Sequence, residues 1–153
     1  MADTFTCEIQ ARLRDINLGG HVDNVEAIRV VEEARIRLFG LDRDGHGDGL
    51  LAACPAGVTN LVAANRVDYR SEMRFLTFQS FLVRMWIGSI GRSSFTVQAE
   101  LRLSGPEHPA AVVAETSVVM WSRETGASWE ITPVFRASLE RYLGEPVALR
   151  ERR

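Results

Sequence analysis

"RDINLGGHVDNVEAIRVVEEAR", residues 14–35, sets a knot of polar and turn-forming residues directly ahead of a helical run. Its first half holds Asp15, Asn17, Gly19, Gly20, His21, Asp23 and Asn24. From Asn24 to Gly40 no Gly or Pro intervenes before the end. Ala27, Val31, Ala34, Leu38 and Leu41 recur there at helical spacing, the mark of one buried stripe. Glu26, Arg29, Glu33 and Arg37 form a charged stripe, with Glu33 and Arg37 one favourable turn apart. Asp23 predicts an N-cap, Glu26 three residues on predicts a capping box, and Gly40 predicts the C-cap. Read this way, the knot does no more than start a helix: the glycines permit the turn, and His21 is a partly buried turn residue.

Outward from this stretch the pattern changes. Phe5, Cys7, Ile9, Ala11 and Leu13 alternate with polar residues, the period of a strand with one buried face. Four further strand-like runs follow at 58–70, 81–90, 93–103 and 111–123. The clearest sets Val97, Ala99, Leu101 and Leu103 against Gln98, Glu100 and Arg102. "TPVFRASLERYL", residues 132–143, reads as a short helix capped by Thr132 with Pro133 in its first turn. One strand, one long helix and four consecutive strands imply an α+β arrangement, an antiparallel sheet wrapped around the helix. At 153 residues the chain suits a single domain spanning 1–153. The sheet's edge and apolar flank call for a second copy of the chain.

Composition narrows the function classes. Eighteen Lys and Arg are dispersed among twenty Asp and Glu, for a net charge of −2, which argues against a nucleic-acid binder; the basic "RERR" at 150–153 reads as a solvated terminus. The N-terminal stretch has no apolar core of a signal peptide, and no run approaches a membrane span, so a cytoplasmic setting is expected. Cys7 and Cys54 support neither a disulfide framework nor a zinc site. "DRDGHGDG", residues 42–49, fails as a calcium loop because Ala53 stands where a bidentate Glu belongs. "GSIGRSS", residues 88–94, has neither the spacing nor the Lys of a phosphate loop and reads as a hairpin turn. His46 and His108 fall in loop-like contexts. No metal and no separate cofactor are expected.

Residues 14–35 resemble the motif of hotdog-fold acyl-CoA thioesterases of the 4-hydroxybenzoyl-CoA thioesterase type: a D-x-D loop, then G-H-V-N-N, then a helix ending near E-x-A-R. The likeness continues in "NRVDYRSEMRF", residues 65–75, and "FLVRMWIGSIGRSSF", residues 81–95. It implies a long central helix wrapped by a curved antiparallel sheet of about five strands. It also implies a homodimer or homotetramer with sites between chains, and hydrolysis of an acyl-CoA or acyl-carrier-protein thioester. Coenzyme A would enter only as part of the substrate. By the same resemblance the backbone around Asn24 holds the oxyanion, His21 and the Gly19-Gly20 pair shape the loop, and Arg92, Ser93 and Ser94 lie near the cofactor tail.

One position departs from the pattern. The second Asp of D-x-D, the family's usual catalytic carboxylate, falls on Asn17, whose carboxamide can orient water but is not a useful base. Three replacements are open: Asp23, also the best cap; Glu32 or Glu33 on the helix, which similarity to another branch of hotdog thioesterases implies would come from a partner chain, with Glu32 preferred because Glu33 has Arg37; and Asp15, better suited to a structural role. A non-catalytic acyl-CoA-binding module is the competing reading, and a structural dimer without an acyl ligand is a third.

Overall fold

Alternating side chains build the first strand, β1 (Phe5–Gln10), with Ile9 buried and Thr6, Glu8 and Gln10 exposed. The strand ends three residues earlier than the alternation suggests. The Asp15 carboxylate accepts the Arg12 N–H at 2.8 Å, and the Asp15 N–H bonds the Arg12 carbonyl at 2.9 Å, closing a 3-10 turn at Leu13–Asp15. Leu13 is left in solvent. The structure, a computed structural model, describes residues 2–42, 45–46, 48–74, 79–105 and 108–151. Parts of "DRDGHGDG" and of the "RERR" tail therefore lie outside the described residues.

The long helix α1 (Asn24–Phe39) begins and ends as the sequence predicts. Asp23 caps it by accepting the Val25 N–H at 2.8 Å, and Gly40 closes it in the left-handed region at φ 72°. The capping box does not form. Its reach-back donor, the Asp23 N–H, is already bound to the Asp15 carbonyl at 2.8 Å, and Glu26 turns to Arg29 and Arg14 at 3.7 and 4.0 Å. Glu33 and Arg37 pair at 2.7 Å. Short strands β2 (Leu41–Asp42) and β3 (Gly45–His46) pair with each other, and a 3-10 turn at Leu50–Ala53 follows.

The main sheet comprises β4 (Val58–Tyr69), β5 (Ser80–Ile90), β6 (Ser94–Leu103) and β7 (Val112–Ser122) together with β1, in the order β1-β5-β6-β7-β4, antiparallel throughout. The short β8 (Ala127–Ser128) folds back on β7. Phe81, Val83, Met85 and Ile87 of β5 and Phe95, Val97, Ala99 and Leu101 of β6 fill the concave side beneath Ala27, Val30, Val31, Ala34 and Leu38 of α1. The second helix, α2 (Pro133–Glu140), is capped by Thr132 and seats Phe135 edge-on against Phe95, which meets Phe39 in the same way.

Because α1 packs mainly over β1, β5 and β6, the inner face of β4 is left open, with Val62 43% exposed and Tyr69 36% exposed. The convex face carries a different cover: residues 144–150 run across the strands as a strap. The Gly144 N–H bonds the Ile87 carbonyl on β5 at 2.8 Å, and the Val147 N–H bonds the buried Gln98 side chain on β6 at 3.0 Å. The Arg150 N–H reaches Asp68 on β4 at 2.6 Å.

Candidate active site

The loop between β1 and α1 is drawn closed by Asn17. Its side-chain oxygen accepts the N–H of Gly19 at 2.9 Å and of His21 at 3.3 Å, while its backbone N–H bonds the His21 carbonyl at 2.8 Å. Gly20 takes φ 79°, a conformation that favours glycine, and donates to the Asn17 carbonyl at 3.0 Å. The oxygen that a catalytic carboxylate would present is thus spent on the turn. Asp15 sits beneath, buried, with its Oδ2 on Arg12 and its Oδ1 without a partner among the described residues.

The loop is stitched to the segment after β4. The Val22 N–H bonds the Met73 carbonyl at 2.8 Å, His21 bridges Arg74 through the backbone, and His21 Nε2 lies 3.2 Å from Glu72 Oε2. The end of β4 contributes Tyr69, whose hydroxyl donates to the Asn24 carbonyl at 3.0 Å. Burial, with the Asp23 carboxylate adding to it, pushes the Tyr69 phenol up from its ordinary value, so the phenol keeps its proton and remains a donor. Between these elements lies a cavity of about 400 Å³, lined by Asn17, His21, Asn24, Tyr69, Arg70 and Glu72 among others. At its edge the first helical amide, the Asn24 N–H, has no partner among the described residues, while the next is taken by Asp23. An unpaired donor at the positive end of a 16-residue helix is suited to a developing oxyanion.

Asn17, His21 and Asn24 therefore line one cavity, while Gly20 and Asp23 belong to the same loop through their bonds to Asn17 and to the start of α1. Asp23 faces its own helix as the cap. Glu32 and the 92–94 turn are not brought there within one chain. Glu32 lies eight residues along α1 from Asn24, a rise of about 12 Å, half-exposed and 3.9 Å from the buried Arg35. Burial draws the Arg35 guanidinium down from its ordinary value, and Glu32 opposes that shift. Arg92 pairs with Glu130 at 3.3 Å, and the Ser93 carbonyl accepts the Met120 N–H at 2.8 Å. In register, Ser94 stands opposite Val119 and Tyr69 opposite Val112, seven residues apart on β7, or roughly 23 Å. Tyr69, Arg70, Ser71 and Glu72 are polar cavity residues that sequence reasoning missed. The available signal was the alternation of Asn65, Val67 and Tyr69 at a strand end.

The sequence profile described as the thioesterase-like superfamily matches residues 11–139. No curated protein matches the sequence. Among solved structures, a predicted thioesterase from Bacillus stearothermophilus is 21% identical, with a TM-score of 0.76 over 95% of this chain and 100% of that one. A thioesterase from Thermus thermophilus complexed with coenzyme A and Zn is 23% identical, with a TM-score of 0.69 over 93% and 96%. An Asp-to-Asn mutant of 4-hydroxybenzoyl CoA thioesterase, complexed with 4-hydroxybenzoyl CoA, is 13% identical, with a TM-score of 0.72 over 89% and 98%. These likenesses carry the fold: a curled antiparallel five-stranded sheet around a long helix, α+β.

Proposed function

Since this chain belongs to the thioesterase-like superfamily, we propose that it hydrolyses an acyl-CoA or acyl-carrier-protein thioester to free acid and thiol in the cavity beside the start of α1. The observation that carries this reading is the Asn24 N–H, without a partner among the described residues, at the start of a helix whose first residue lines the same cavity as His21 and Asn17. Solved relatives complexed with coenzyme A, and with an acyl-CoA, support the substrate class. Thiol release from a panel of acyl-CoAs and acyl-carrier proteins tests it. An inert protein that is nonetheless stabilised thermally by acyl-CoA is the binding-module alternative, which the commitment of Asn17 to the turn keeps in play.

The working unit is a homodimer or homotetramer. The outer edge of β4 has no strand partner among the described residues, and Leu61 and Val62 stand exposed there. A second chain is also the route by which Glu32, and Arg92 with Ser93 and Ser94 as phosphate contacts, come to the cavity. Solution sizing is expected to give a dimer or tetramer; a strict monomer at micromolar concentration removes the composite site. A cytoplasmic setting is part of the same proposal. Among the described residues no helix is long and apolar enough to cross a membrane, and there is no cluster of metal ligands.

Asn17→Asp is expected to fold normally, because a carboxylate accepts the same two N–H groups. Hydrolysis in this variant is expected to equal or exceed that of the parent in the thiol-release assay, since it adds the basicity that the carboxamide lacks.

A further inference from the structure

We propose that His21 is the general base of this site and that Glu72 is the positioning residue that fixes its tautomer, a deepening that rests on the hydrolase reading above. Of the residues lining the cavity, His21 and Glu72 are the proton acceptors of useful basicity. They lie 3.2 Å apart, Nε2 to Oε2. An Nε2–H donated to Glu72 leaves Nδ1 as the bare acceptor, the arrangement by which a carboxylate orients an imidazole. Gly19 keeps that side open, since a methyl group there would stand 3.6 Å from Nδ1 and 3.3 Å from the Asn17 side-chain oxygen.

The remaining charged or titratable groups around the imidazole are Tyr69 and Arg70 in the cavity wall, Asp23 at the helix start and Arg74 across the backbone bridge. Tyr69 is held as a donor, Asp23 is spent on Val25, and Arg70 donates to the Ala148 carbonyl at 2.7 Å. None of these competes for the role.

The chemistry then balances within one chain. Water gives its proton to Nδ1 as its oxygen bonds to the thioester carbon, and the carbonyl π pair moves onto the oxygen facing the Asn24 N–H. The oxyanion collapses, the C–S bond breaks with its electron pair on sulfur, and the imidazolium returns the proton to the thiolate. The products are the acid and the thiol.

The test is steady-state thiol release from acyl-CoAs, with kcat and KM measured separately, run on the full chain. His21→Gln is expected to lower kcat on the order of 10²-fold with KM within about threefold. Glu72→Gln, at an exposed position, is expected to lower kcat about tenfold with KM within about threefold, and Glu72→Asp to recover part of that loss, because a carboxylate only accepts and so fixes the imidazole tautomer, whereas a carboxamide can also donate. A kcat in Glu72→Gln equal to the parent's overturns the dyad even if His21→Gln fails to fold. Loss of hydrolysis in Glu32→Gln with His21→Gln active also overturns it and gives the base to the helix carboxylate. A parent inert toward every thioester overturns the hydrolase reading, and the dyad with it.

Discussion

Replacing Asn24 by proline is expected to cut hydrolysis by about 10²–10³-fold while the helix remains standing. The first position of a helix tolerates proline because its N–H has no intrahelical acceptor and the ring's φ is already helical. Asp23 precedes it with φ −65° and ψ 137°, the extended backbone that a residue before proline prefers. The substitution therefore deletes the one amide proposed to hold the oxyanion. Loss of such a donor carries about this penalty. Asn24→Ala, which keeps the N–H and removes only the exposed side chain, should retain most activity. Thiol-release kinetics beside a thermal melt check both variants; equal activity in Asn24→Pro and Asn24→Ala would move the oxyanion elsewhere.

A second large effect is expected in stability, from Gly49→Ala. The end of α1 and the entry to the Leu50–Ala53 turn touch backbone to backbone. A Cβ on Gly49 would overlap the Gly40 nitrogen and the Phe39 carbonyl carbon, with the carbonyl oxygen at 2.5 Å. None of these atoms belongs to a side chain that could swing away, so the turn or the helix end must shift, and Leu51, fully buried beside it, shifts too. About 3 kcal/mol is expected, a fall in Tm of roughly 6–12 °C for a chain of this length. Gly40→Ala meets the same obstruction from the other side, where its Cβ would lie 2.6 Å from the Gly49 α-carbon, and adds the strain of φ 72°. Thermal unfolding of both proteins measures the cost, and melts within about 2 °C of the parent would mean that the contact yields without loss.

The contrast between fold and site in legibility has a physical origin. Apolar spacing from Ala27 to Leu38 and alternation along β1 and β6 are local signals, because each is set by which face of one element is buried. Strand and helix positions were accordingly readable to within a few residues. The capping box was misread for a non-local reason: the Asp23 N–H is taken by Asp15, across the loop rather than along the helix. The site is non-local in the same sense. Tyr69 meets Asn24 across 45 residues, and Glu72 meets His21 across the join between loop and strand end; no periodicity encodes either contact. The loop motif pointed to Asn17, His21 and Asn24, which line one cavity, and to Gly20 and Asp23 in the same loop, whereas Glu32 and Arg92 lie away from that cavity within one chain.

The strap over the convex face bears on the order in which the molecule assembles. Its partners come from three strands: Trp86, whose indole N–H bonds the Glu145 carbonyl at 2.7 Å, Gln98, and the Asp68–Arg70 end of β4. These contacts span 49 to 82 residues of sequence, so each waits for a long loop to close. No surface for the strap exists until β4 to β7 are in register. Its docking therefore follows the pairing of those strands and cannot help to nucleate it.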